Sequence, residues 1–207
     1  MKTLRMLSFL LLFAVPMFTL GQEDEEVAGD EEPVTEGFSL PMPSAGKALV
    51  IFTRPVLDAP ILQFKYFCND TYVGKIGVGS YLVYECDPGK YLFWADSETT
   101  SVVKAEVAAN RVYIFDTFVQ DGILKPNLTL KSFDPELKRA DRVRQRLIGR
   151  ISHKTEKRFE PDHPEKSNKK LLRAAQRVME KYTVEPAEGD GKGLSDVRIM
   201  TANQYVQ

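Results

Sequence analysis

Two cysteines, Cys68 and Cys86, and two histidines, His153 and His163, bound the chemistry open to this chain. A catalytic thiol wants an imidazole beside it, and both histidines lie far along the chain from both cysteines. Two histidines without a compact set of further ligands do not make a metal site. Gly74, Gly77 and Gly79, followed by Ser80, match neither a phosphate-binding loop nor a Gly-x-Ser-x-Gly elbow, and no helical pattern follows them. They read as turn residues, because glycine supplies backbone freedom between strands. Carboxylates are plentiful, but nothing in the sequence pairs two of them at a catalytic separation. The expectation is a protein that is not an enzyme and carries no cofactor and no metal. A hydrolase using clustered carboxylates is the least favoured alternative.

Three aromatic residues are candidates for binding: Tyr81, Tyr91 and Trp94. Trp94 alternates with Leu92 and shares its parity with Tyr84, which places it in a core. The competing reading is an exposed platform that stacks sugar rings, since an aromatic face serves binding as well as packing. The cysteines carry two readings as well. An oxidising compartment permits a Cys68–Cys86 disulfide. If the two flank one strand of a single sheet, they stand two spacings of nearly 5 Å apart, too far to bridge without strain. Buried free thiols are then the alternative.

These residues sit on a series of short β-prone runs. The expected strands are Lys47–Arg54, Ile61–Phe67, Thr71–Ile76, Tyr81–Cys86, Tyr91–Ala95, Val102–Val107, Arg111–Phe118 and Lys125–Leu130. Turn signals such as Asn69-Asp70, Asp87-Pro88-Gly89 and Ala109-Asn110 separate them. Even spacing and the absence of intervening helical periodicity point to a sandwich rather than a parallel βαβ sheet. The Tyr81 and Tyr91 strands are apolar on both parities, with Tyr81, Val83, Tyr91 and Phe93 against Leu82, Tyr84, Leu92 and Trp94. The Arg111 strand behaves alike, with Val112 and Ile114 against Tyr113 and Phe115. A strand apolar on both faces has both covered, so one cover is the opposite sheet and a second comes from elsewhere in the chain or from a partner.

After the sandwich, residues 134–185 form a basic helical segment with fifteen bases and nine acids, whereas residues 46–133 hold nine of each. Asp134-Pro135 is a helix start. Leu137, Ala140, Val143, Leu147, Ile148 and Ile151 then make a helical stripe, with Arg139, Arg142, Arg146 and Arg150 on the remaining face. Residues 155–167 read as a loop, and a second helix from about Asn168 to Tyr182 presents Leu171, Leu172, Ala175, Val178 and Tyr182. The two apolar faces are the natural covers for the sheet. Residues 186–207 read as a flexible tail.

The front of the chain is an address. Lys2 and Arg5 precede an apolar run from Met6 to Leu20, and Thr19-Leu20-Gly21 is a small-residue exit site, so residues 1–21 read as a signal peptide cleaved near Gly21. The run is too short to span a membrane, and no transmembrane segment is expected after cleavage. Removing Lys2 and Arg5 from the 28 bases leaves 26 against 29 acids, a net charge of −3. Residues 22–45 read as an acidic disordered linker, because Glu23–Glu36 holds eight acids and neither Lys nor Arg. Nucleic-acid binding is not expected, since no basic-aromatic module appears.

Tyr72-Val73-Gly74-Lys75-Ile76, Gly79-Ser80-Tyr81 and Asp87-Pro88-Gly89-Lys90-Tyr91 together resemble the pattern of domain of unknown function 2846. These are bacterial envelope β-sandwich domains, many on lipoproteins, distantly similar to PEGA-type domains. Glu85-Cys86-Asp87-Pro88-Gly89 with Leu92-Phe93-Trp94 is similar to a subset of exported proteins from the Bacteroides–Flavobacterium lineage. The likeness covers about Gly46 to Val119, and Met200–Val206 resembles that subset's tail. The chain departs from lipoprotein members in having no cysteine at the exit site. The family has no assigned activity, so the resemblance supplies no catalytic residue. It also makes the sequons at Asn69 and Asn127 coincidental. The whole reading is a mainly β protein, an antiparallel β-sandwich with two C-terminal amphipathic helices, periplasmic or secreted. Its expected role is a binding or accessory module for an envelope protein partner, with a carbohydrate-binding module as the alternative.

Overall fold

Ten strands and two helices are present among the described residues: β1 (Ala48–Thr53), β2 (Phe64–Cys68), β3 (Thr71–Ile76), β4 (Ser80–Cys86), β5 (Gly89–Asp96), β6 (Thr100–Val107), β7 (Val112–Gln120), β8 (Asn127–Ser132), α1 (Ala140–Ser152), β9 (Thr155–Arg158), α2 (Lys169–Thr183) and β10 (Val197–Met200). The computed structural model describes residues 33–55, 62–96, 100–120, 127–163, 168–183 and 197–207. The signal peptide, the first part of the acidic linker and the start of the Ile61 strand lie outside them.

The strands make two five-stranded sheets. The first has the order β8-β7-β1-β4-β9, and the second β10-β6-β5-β2-β3. Most pairings are antiparallel, and β1–β7, β4–β9 and β6–β10 are parallel. The mainly β, sandwich-like architecture with two helices matches the sequence reading, and each of the eight expected strands falls on one of β1–β8.

Alternation decides the layers. Along β1, Ala48, Val50 and Phe52 join Phe93, Tyr66 and Phe115 between the sheets, while Leu49 and Ile51 face the other way. That outer face of the first sheet is covered by α1 through Leu147 and Ile151. The outer face of the second sheet, with Phe67, Leu92, Trp94 and Val102, is covered by α2 through Leu171, Ala175, Val178 and Tyr182. The order is therefore helix, sheet, sheet, helix. The doubly apolar strands need two covers because each fully buried Leu, Ile or Phe stabilises the fold by about 1.5–3 kcal/mol over leaving it wet. The chain supplies one helix per sheet.

Four local differences from the sequence reading have physical causes. α1 begins at Ala140, not near Asp134. Asp134 Oδ1 does accept from the Glu136 N–H at 2.9 Å, but residues 135–139 are turns and bends, and Leu137, the first residue of the stripe, is 49% exposed rather than packed into the core. Thr155–Arg158, read as loop, is β9, added parallel to β4 by backbone bonds such as Thr155 N–H to Gly79 O at 3.0 Å. Its residues carry no β-prone pattern, and charges are what an edge strand displays. Within the expected linker, Phe38 and Leu40 pack on the outer face of the first sheet, and Thr35 bonds to Ser152 and His153 beside the end of α1. Finally, residues 197–207 of the expected flexible tail contain β10 and pack against both sheets, with Met200 in the interior and Val206 on the outer face.

Candidate interaction surface

The three candidate binding aromatics do not form an open platform. Trp94 has no exposed surface; its ring lies on Phe67, with centroids 3.8 Å apart and planes 5° from parallel, and α2 closes over both. Its Nε1–H donates to the Asn69 carbonyl at 2.8 Å, so the polar edge is satisfied as well. Asn69 is in the left-handed region (φ 51°) in the two-residue turn between β2 and β3, where it also exchanges bonds with Leu92. Tyr81 is 3% exposed on the opposite side of the molecule, in the cluster with α1, and donates to Glu156 Oε2 at 2.8 Å. Tyr91 is half-buried and points its ring at Phe93, with its hydroxyl donating to Asp87 O at 2.9 Å. Tyr81 and Trp94 are thus split between the outer faces of two different sheets, and Tyr91 belongs to the interior.

Cys68 and Cys86 are both buried free thiols. The single-sheet placement considered from sequence does not hold: Cys68 ends β2 in the second sheet, Cys86 ends β4 in the first, and both face the shared interior. Burial pushes each thiol up to about 12, so neither is held as the reactive thiolate. The histidines are distant from this chemistry. His153 bonds to Thr35 and Pro33, and the His163 ring stands 5.6 Å from that of Tyr72. Among the described residues no group of three His, Cys, Asp or Glu side chains comes together in the manner of a metal site.

A buried polar seam, invisible to sequence patterning, runs from the end of β1 to the middle of β7. Thr53, Arg54, Asp116 and Thr117 are all 5% exposed or less. Asp116, opposite Thr53 in the parallel register, pairs with Arg150 from α1. Lys154 reaches the same place, bonding to Thr53 Oγ1 at 3.1 Å and to the Arg54 carbonyl. Arg54 donates to Leu62 O at 2.9 Å and lays its guanidinium 4.5 Å from the Phe64 ring centroid. Burial pushes the Asp116 carboxyl up, and Arg150, Lys154 and Arg146 pull it back down. The seam adds a buried charge pair to the apolar contact of α1 with the first sheet, whereas α2 meets the second mainly through apolar side chains. Spacing cannot reveal it, because Asp116 and Arg150 are separated by 34 positions.

The outward chemistry is concentrated on α2. The helix carries five bases, Lys169, Lys170, Arg173, Arg177 and Lys181, against one acid, Glu180, and all six are exposed. Lys169, Arg173, Arg177 and Lys181 are four apart, which sets them in one row about 6 Å from each other along the axis. Like charges at this spacing repel by a few tenths of a kcal/mol each. Lys170 and Arg177 also draw down Asp96, whose carboxyl is otherwise raised by burial. Beside the first turn of α2 lies a cleft of about 200 Å³ lined by Phe67, Asp70, Thr71, Tyr72, Leu171 and Leu172. Leu172 stands 46% exposed at its edge. The cleft has a mixed lining, with Asp70 and Thr71 facing the leucines, and the cationic row beyond it is suited to an acidic chain.

No protein-family model matches this chain, and no curated protein matches it.

Proposed function

We propose that the protein is an exported, non-catalytic β-sandwich that acts as an accessory module of the bacterial envelope and holds an acidic protein partner on the outer face of α2. The observation that supports this reading is the exposed row of Lys169, Arg173, Arg177 and Lys181, whose first turn lies beside the cleft at Leu172. The helix lays its apolar face on the sheet, and along the exposed row the like charges at i,i+4 spacing repel one another. A partner with interspersed acids removes that repulsion. The periplasmic or secreted location rests on the leader reading of residues 1–21, and the envelope setting on the resemblance to domain of unknown function 2846.

The test is a comparison of crosslinked pull-downs from envelope extract with the natural chain and with an Arg173→Glu/Arg177→Glu variant. A partner recovered reproducibly by the first, lost by the second, and released as salt rises supports the reading. Recovery of the same proteins by both chains, or of none across crosslinkers, removes it. The carbohydrate reading has lost its main support, because the face of Trp94 is covered.

A further inference from the structure

The last eleven residues are attached to the body in a way that separates them from the element that precedes them. β10 pairs parallel to β6, Val197 opposite Val102 and Met200 opposite Ala105, and Met200 is 1% exposed in the interior. The chain then turns through Thr201–Gln204, held by Gln204 N–H to Thr201 O at 3.1 Å and Thr201 N–H to Gln204 Oε1 at 2.9 Å. Beyond the turn, Val206 N–H donates to Val112 O at 2.8 Å and Val112 N–H donates to Gln207 O at 2.7 Å. The Tyr113 hydroxyl accepts from Ala108 N–H and donates to Ala202 O, both at 2.9 Å. Arg111 lays its guanidinium 4.1 Å from the centroid of Tyr205.

These bonds go to β6, to residues 108–113 and to the segment itself. The receiving surface therefore needs neither α2 nor residues 184–196 to be complete. Those thirteen residues, three of them glycine, bridge at most about 45 Å when drawn out. A domain of this size has a radius of gyration of about 16 Å, so the same segment can reach a neighbouring molecule as well as its own.

We propose that the β6 edge and the adjoining residues 108–113 are a strand-acceptor site, and that segment Val197–Gln207 exchanges through it between two copies of the chain. The chemistry is backbone addition to an open edge with two apolar anchors, Met200 and Val206, setting the register. Tethering keeps the segment in its own site at low concentration, since a short linker corresponds to a millimolar effective concentration. Exchange is therefore favoured by folding from concentrated solution. This site is separate from the outer face of α2, and charge reversal there leaves it intact.

The full chain is refolded from denaturant at low and at high concentration and then sedimented after dilution. A fluorescently labelled peptide of residues 197–207 is added to the folded chain and followed by anisotropy. The expected results are a dimer only after concentrated refolding, slow peptide uptake by the natural chain, and at least tenfold tighter uptake by a Met200→Asp chain whose own segment is loosened. A peptide carrying the same Met200→Asp change is not taken up. Circular dichroism and Trp94 emission establish that the variant is folded, and Val206→Ala serves as the milder second variant. Monomer at every refolding concentration, or no uptake by a folded loosened variant, overturns the proposal.

Discussion

The indole of Trp94 lies flat on the ring of Phe67, 3.8 Å between centroids, with α2 closed over the pair and the Asn69 carbonyl accepting the indole N–H at 2.8 Å. Aromatic pairing of this kind adds about 0.5–1.5 kcal/mol to the burial of the rings. Truncation by Trp94→Ala removes both contributions and leaves a cavity, so the expected loss is about 3–5 kcal/mol in denaturant unfolding. The natural protein should show blue-shifted emission that aqueous quenchers do not reach and that added glycans do not change. A quenchable, glycan-responsive signal from the single tryptophan would contradict the burial.

The thiols predict a dependence on alkaline pH. Burial raises Cys68 and Cys86 from 9.0 to about 12 in the folded state. Above pH 9 the unfolded chain releases these protons while the folded chain keeps them. Their contribution to stability is therefore complete below pH 9 and is lost as pH climbs toward 12, by up to about 1.4 kcal/mol per pH unit for each thiol. Unfolding midpoints at pH 8 and pH 10.5 should differ more in the natural chain than in a Cys68→Ala/Cys86→Ala chain. Native protein should also resist thiol reagents until it is unfolded. Equal slopes in the two chains would remove the thiols as the cause.

The Asp116–Arg150 pair predicts an asymmetry between removing one member and removing both. Asp116→Asn leaves a guanidinium in a site where Arg150 is only 12% exposed, and the expected cost is about 3–5 kcal/mol. Replacing both residues together by apolar groups of similar volume should recover much of that loss, because the uncompensated charge disappears. A double-mutant cycle in urea measures the coupling directly. Additive losses would mean that the pair does not hold α1 in place.

On α2, the Arg173→Glu/Arg177→Glu change makes the 169–173 and 177–181 neighbours attractive, leaves 173 and 177 repelling with the opposite sign, and removes the pull of Arg177 on Asp96, so the fold should stay level to within a few tenths of a kcal/mol. Binding to a synthetic acidic peptide should fall at least tenfold in the same variant. Thermal melts and anisotropy titrations at two salt concentrations separate the two effects. Lost stability would mean that the row does structural work.

The layers were legible from sequence because alternation survives folding: Tyr81 and Val83 against Leu82 and Tyr84 lie on opposite faces of one strand, as their parity requires. Two covers could be inferred from that alone, and the stripes ending at Ile151 and Tyr182 supplied them. What was not legible depends on long-range neighbours. β9 is Thr-Glu-Lys-Arg, which is a strand only because β4 offers it an edge. β10 follows a glycine-rich stretch that reads as tail, and Met200 gives no hint from spacing that an interior awaits it. The Asp116 seam is hidden for the same reason, since a buried carboxylate declares itself only through the cation that meets it.

The three parallel pairings have a consequence for how the molecule is born. β1 waits for β7, β4 for β9, and β6 for β10, so each ladder joins segments far apart in sequence. Folding of such a topology is slow, because distant segments must meet before their contacts repay the ordering. Because Val206 N–H donates to Val112 O and Val112 N–H donates to Gln207 O, the start of β7 gains its last backbone partners only when the segment after α2 has docked. A fragment that stops before β10 should therefore leave the β6 edge and Val112 open, and amide exchange there should be faster than in the full chain.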